Sequence, residues 1–270
     1  MRVGICYKQN MDHQTTLAKQ VAKGFIVHGI ETELIPNTPT KKYDLLVCWG
    51  ERWRLNIKDK ATNVLVAERA YFQDRFEWVS LGFNGLNGRA DFLNKNSPSD
   101  RWLKYFNDGR MKEWSSGDYI LLTLQIPGDA SLTGTNITYP EIIKNLRKYS
   151  EYPIKIRMHP SRPNRLSISE ERNVSFSDFN TPIEVEAEKA KVVVTISSNS
   201  GVDATLAGTP VLNFNNHSMV WDLAMKDYKQ IDNPPFPDRI QWAYDVSYAQ
   251  WLPSEIESGD AWEHLKRKYE

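Results

Sequence analysis

Apolar residues along this chain fall in short runs separated by polar turns. Arg2–Tyr7 reads as a buried strand, and Gln14–His28 carries Leu17, Val21 and Phe25 at helical spacing before Gly29. Glu31–Ile35, Asp44–Trp49 and Asn63–Ala67 predict three further strands. Strand and helix alternate, so the pattern calls for parallel βαβ units with both sheet faces covered. From Glu68 to Trp114 the periodicity fades into a long stretch rich in aromatics, Arg, Asn and Gly. Irregular stretches of that length in compact domains usually carry function.

A second series begins at Tyr119 with the strand YILLTLQ and a turn at Gly128-Asp129. An amphipathic helix over Pro140–Ser150 follows, then strands at Ile154–Met158 and Val174–Phe176, and a helix at Ile183–Ala190. The series closes with strand Val192–Ile196, the turn SSNSG, helix Val202–Ala207 and strand Val211–Phe214. In the last forty residues, QWAYDVSYAQW predicts a helix with Tyr244, Tyr248 and Trp251 on one face. The fold class expected is α/β, two Rossmann-like domains facing a cleft, because open parallel sheets bind ligands beyond their carboxyl ends. The expected division is 1–115, 116–230, and a helical tail over 231–270 that packs back on the first domain.

Composition narrows the picture. The chain has 270 residues, ample for two cores, and 31 aromatic side chains that exclude a disordered chain. No apolar run approaches a membrane span, and the opening residues do not resemble a signal peptide, so no membrane partner and a cytoplasmic location are expected. Cys6 and Cys48 lie in apolar runs and read as buried thiols. The zero net charge conceals an asymmetry: residues 1–115 hold 18 basic against 13 acidic side chains. Such a surplus attracts a polyanion or is ordinary solvated surface.

Three stretches carry candidate chemistry. In VVVTISSNSGVDATLAGTPVLNF, a strand runs into Ser197, Ser198, Asn199, Ser200 and Gly201 just before a helix. Small residues there let backbone amides meet an anion, and Asp203 in the first turn is suited to a ribose hydroxyl pair; a well-capped turn is the alternative. In KIRMHPSRPN, His159 leaves a strand end beside Arg157, Arg162 and Arg165, all able to hold phosphate oxygens. In LLTLQIPGDASL, Gln125 and Asp129 sit at a strand exit, either as ligand contacts or as an ordinary turn.

In this order and spacing, the three stretches resemble the donor-binding half of GT-B glycosyltransferases. They look most like the capsule-polysaccharide transferases that use CMP-Kdo. The matching positions are Gln125 and Asp129, His159-Pro160, Ser197-Ser198 with Asp203, and Gly208-Thr209-Pro210. Asp203 stands where that pattern usually has Glu, which leaves the base and sugar open. The whole chain also resembles small phage-encoded glycosyltransferases, through Glu68–Phe92, Gln125–Leu132 and the WAYDVSYAQW tail. Phages of that kind often place sugars on hydroxymethylated pyrimidines of their own DNA.

These resemblances imply a metal-independent transferase with a nucleotide-sugar co-substrate, a UDP-sugar first, and no cofactor. No D-x-D sequence is present to chelate a pyrophosphate-bound metal. The first domain is then the acceptor half, receiving DNA with a hydroxymethylated pyrimidine such as hydroxymethylcytosine in bacteriophage DNA. The expected general base is Glu68 or Asp74, with Asp12 a further candidate, although ion pairs with Arg69 or Arg75 account for them equally well. Arg75, Asn84 and Arg89, with Arg101 nearby, are expected to grip the acceptor. A capsule-like saccharide acceptor, or a non-catalytic DNA- or sugar-binding protein of the same fold, remain the rival readings.

Overall fold

The computed structural model describes residues 1–72, 74–161, 172–178 and 180–270. In chain order the first part comprises β1 (Val3–Tyr7), α1 (Asp12–Val27), β2 (Thr32–Pro36), β3 (Tyr43–Trp49), α2 (Glu51–Ile57), β4 (Ala61–Arg69), β5 (Val79–Phe83) and α3 (Asp100–Tyr105). The second series is β6 (Tyr119–Thr123), α4 (Tyr139–Tyr149), β7 (Ile154–Arg157), β8 (Val174–Phe176), α5 (Ile183–Ala187), β9 (Ala190–Thr195), α6 (Ser200–Leu206) and β10 (Val211–Asn213). The chain ends with α7 (Ile240–Ser247), β11 (Gln250–Trp251), α8 (Pro253–Ser258) and α9 (Asp260–Leu265).

These elements form two compact units, residues 1–101 with 241–270, and residues 102–240. The first unit holds a sheet of order β11-β5-β4-β3-β1-β2. Its strands β4, β3, β1 and β2 are parallel, β5 runs antiparallel to β4, and β11 pairs antiparallel with β5. The strand β5 lies inside the stretch that sequence periodicity left irregular. Every residue of VSLGF is buried, so neither a helical nor an alternating pattern marks it. The expected helix over 241–251 stops at Ser247, and Gln250 and Trp251 pair with Ser80 and Val79 instead.

Helices of the final segment complete the first core. Trp251, Ile256, Trp262 and Leu265 pack with Val3, Phe25, Leu65 and Phe83 in one buried cluster. Arg101 secures this arrangement from inside. Only 7 % exposed, it pairs with both Glu255 carboxylate oxygens at 2.6 and 3.0 Å and donates to the Ser247 and Gln250 carbonyls. Its guanidinium lies 4.0 Å from the centre of the Trp251 ring. Arg101 is therefore a core strut and not an acceptor contact. On the other face of the sheet, Cys6 and Cys48 are free and buried, and burial pushes the Cys6 thiol up to about 12.

The second unit is doubly wound. Its parallel sheet has the order β10-β9-β6-β7-β8, so the chain moves outward from β6 on one side and then returns to the other. The strand order reverses between β6 and β9, which is where such sheets open a crevice at their carboxyl ends. Helix α4 starts with a capping box: Thr138 Oγ1 accepts from the Glu141 amide, and the Thr138 amide donates back to Glu141. Residues 102–115 and 231–240 belong to this unit, not to its neighbours on either side. Trp114 and Arg239 explain why. The Trp114 indole donates to the Pro237 carbonyl at 3.0 Å, and Arg239 donates to the Thr205 and Lys112 carbonyls. No helix among the described residues is long and apolar enough to cross a membrane.

Candidate functional site

The loops after β6 and β9 meet at the reversal point of the second sheet. Gln125, 5 % exposed, bridges them: its Oε1 accepts the Ser197 amide at 2.9 Å, and its Nε2 donates to the hydroxyls of Ser197 and Ser131. Ser197 Oγ in turn donates to the Ser131 carbonyl at 2.6 Å. Asp129 accepts from both the amide and the hydroxyl of Ser131 at 2.8 and 2.7 Å. The Tyr139 hydroxyl accepts the Gln125 amide at 2.6 Å. This network makes Gln125, Asp129 and Ser197 part of the framework of the crevice. Gln125 and Ser197 bond each other, and both they and Asp129 Oδ1 are tied to Ser131, which rigidifies the site.

What faces a ligand comes from the next residues along. Ser198 Oγ accepts the Ser200 amide at 3.2 Å, and its own hydroxyl hydrogen can still donate. Ser200 at the start of α6 and Thr123 at the end of β6 share a hydroxyl contact of 2.7 Å. Asn199 precedes α6 without capping it through its side chain. The amides of Ser198, Gly201, Val202 and Asp203 already bond within the turn, so hydroxyls more than amides remain for an anion. Asp203, in the first turn of α6, is 3 % exposed, so its carboxylate is not presented at the surface. Gly208 of the G-x-P sequence has φ +81° and lies so close to the Glu113 carbonyl that a Cβ would collide with it. Its role is packing.

His159 is half-buried just beyond β7. Its Nδ1 accepts the Ser161 amide at 3.2 Å, so the neutral ring carries its proton on Nε2 as a donor. Burial pushes its pKa down, and the Asp129 carboxylate partly offsets that. The imidazole is thus neutral at pH 7 and suited to donate a hydrogen bond. Arg157, expected beside it, points elsewhere. It is 8 % exposed, pairs with Glu186 at 2.5 Å and donates to the Thr181 carbonyl at 2.7 Å. Arg162 and Arg165 lie outside the described residues.

In the first unit the structure separates the acceptor residues expected from the sequence. Glu68 and Asp74 lie at and beyond the carboxyl end of β4. Glu68 Oε1 accepts the Arg69 amide at 2.9 Å. Asp74 is exposed, and its carbonyl accepts the amides of Glu77 and Trp78 in a turn where its own φ is +63°. Arg75 is half-buried in the same loop. Asn84 and Arg89 lie at the opposite end. Because β5 runs antiparallel, Asn84 returns to the start of β4, where its Oδ1 accepts the Val64 amide and its Nδ2 donates to Asn63. Four to five strand residues, about 15 Å, separate it from Glu68. The Gly85 position abuts the Arg89 carbonyl, so this loop closes upon itself. Asp12 begins α1, at the same carboxyl edge as Glu68.

Sequence reasoning missed Ser131, Tyr139 and Glu186, the partners that turn candidate ligand contacts into scaffold. Only Ser131 had a local signal, in the D-x-S turn that Asp129 caps.

No family model matches this chain, and no curated protein matches it in sequence. Solved structures do match. One is the beta Kdo 2,4 transferase of Thermosulfurimonas dismutans KpsC, at 14 % identity and TM-score 0.62 over 95 % of this chain and 94 % of that one. Another is the beta Kdo 2,7 transferase of the same KpsC, at 14 % identity and TM-score 0.54 over 98 % and 99 %. The fold is GT-B-like. At this identity the likeness speaks to architecture, and the chemistry must be argued from the residues.

Proposed function

We propose that this chain is a glycosyltransferase that moves a sugar from a nucleotide-sugar donor to the hydroxymethyl group of a modified pyrimidine in DNA. The observation that carries the donor half is that Ser198 and His159 follow the carboxyl ends of β9 and β7, each with a hydrogen to donate, next to the rigid Gln125–Ser197–Ser131 network at the strand-order reversal. Such donors stabilise charge that develops on the departing phosphate, and they need no reorganisation if the network beside them is fixed. In the reaction the acceptor oxygen attacks the anomeric carbon while the bond to the nucleotide phosphate breaks. The nucleotide leaves with the bonding electron pair, and Glu68 takes the hydroxyl proton, with Asp74 as the other carboxylate in reach of the same edge. A UDP-sugar is the first donor to test, and the cytoplasm of a phage host is the setting this reading implies.

A saccharide acceptor is the second reading, favoured by the shared fold with two Kdo transferases. Two measurements decide. A thermal-shift series with UDP, GDP, CMP and ADP should raise Tm with at least one nucleotide. Mass spectrometry of nucleosides from hydroxymethylated DNA, incubated with the protein and a panel of sugar nucleotides, should show a glycosylated nucleoside. Transfer should survive chelator and fall at least about 100-fold in His159→Ala or Ser198→Ala, the scale of losing one charge-stabilising donor. Activity that chelator abolishes and neither substitution affects would overturn the donor assignment.

A further inference from the structure

Beside Glu68 lies a group of side chains that the expected acceptor residues did not include. Phe76 is 82 % exposed, an aromatic ring left in water. It is nevertheless held in place: the Arg69 guanidinium lies 4.6 Å from its ring centre and 5.4 Å from that of Trp49. His13, in the first turn of α1, meets the Trp49 ring edge-on at 4.9 Å. Lys8, just past β1, lies 6.0 Å from the centre of Trp53. Gly50 has φ +80° and stands next to the Glu68 carboxylate: a Cβ there would lie 3.6 Å from Oε2. All these residues belong to the first unit, at the carboxyl ends of β1, β3 and β4.

Phe76 is thus an open aromatic ring stiffened by the Arg69 cation, at the same strand-end edge of the sheet that carries Lys8 and Glu68. A neutral sugar ring could lie on the aromatic face but would give the two cations nothing to neutralise. A nucleotide drawn out of its stack satisfies both features, with its base on the ring and its phosphates beside the cations. We infer that Phe76, braced by Arg69, is the acceptor platform, stacking an unstacked pyrimidine so that its hydroxymethyl group turns toward Glu68 while Arg69 and Lys8 meet flanking phosphates. This rests on the transferase reading above and names the acceptor contacts it lacked.

The test measures binding without any donor present. Fluorescence anisotropy follows a labelled single-stranded oligodeoxynucleotide containing one 5-hydroxymethylcytosine. Phe76→Ala should weaken binding by about tenfold, on the scale of a lost base–aromatic stack. Phe76→Trp should restore it, and Arg69→Gln should flatten the salt dependence. Because Phe76 is exposed, its Ala variant should melt with the wild-type Tm and keep the same nucleotide-induced shift. Wild-type oligonucleotide affinity in Phe76→Ala overturns the inference. So does a variant that loses transfer to an oligosaccharide while its oligonucleotide affinity stays intact. Failure of the transferase reading shows elsewhere, as a wild-type protein whose Tm no nucleotide shifts, and leaves the anisotropy result to decide on Phe76 by itself.

Discussion

Arg157 and Glu186 are both nearly excluded from water and 2.5 Å apart. A buried pair of this kind gains little over a well-packed apolar pair, yet removing one partner strands the other charge in a poor solvent. Arg157→Met should therefore destabilise the fold by about 3–5 kcal/mol, read as a lower urea midpoint. The double variant Arg157→Met with Glu186→Leu should recover most of that loss. Nucleotide binding by the folded fraction should be unchanged in both, since Arg157 is committed to α5 and the Thr181 carbonyl and not to the crevice. Loss of nucleotide affinity without loss of stability would return Arg157 to the donor site. The same distinction applies to Gln125, whose polar atoms are consumed by Ser131 and Ser197.

Strand β4 shows what an element does to a set of residues that look adjacent in sequence. Glu68 and Asn84 are sixteen positions apart, and the intervening loop with β5 carries the chain back along β4 to its start. Arg89→Ala should accordingly leave the KM for a short hydroxymethylated oligonucleotide unchanged, whereas Phe76→Ala should raise it; steady-state kinetics on both variants checks this. Equal increases would mean that the substrate wraps the full length of the sheet.

Parallel strands were legible in the sequence because runs such as DLLVCW and VVVT are apolar and bounded by turns. The antiparallel direction of β5 was not, since direction is decided by pairing between residues distant in sequence. The short strand β11 was hidden for the same reason. Gln250 earns its place through contacts to Tyr71 and Phe72, whose amides its Oε1 accepts at 2.9 and 3.1 Å. The donor stretches were visible as motifs, but which of their polar groups face outward depended on Ser131, Tyr139 and Glu186, residues without a motif of their own.

At the scale of the whole molecule, one unit is a continuous piece of chain and the other is not. Residues 102–240 hold their own sheet and core, so that fragment alone should melt cooperatively and keep the nucleotide shift. Residues 1–101 alone lack Trp251, Ile256, Trp262 and Leu265, and leave Arg101 without Glu255. That fragment should show no cooperative melt by circular dichroism until 241–270 is supplied; a sharp transition without it would contradict the account of the core.

The return of the last thirty residues to the first unit also imposes an order on biosynthesis. Of the two units, the one whose synthesis begins earlier is finished later. Until residues 250–251 are made, β5 has no neighbour on one side, and its unpaired backbone edge is the kind that recruits strands from other chains. A message cut short before the codons for 241–270 would therefore yield a product with a sound second unit and an adhesive first one, a species for cellular quality control to clear rather than a weaker protein.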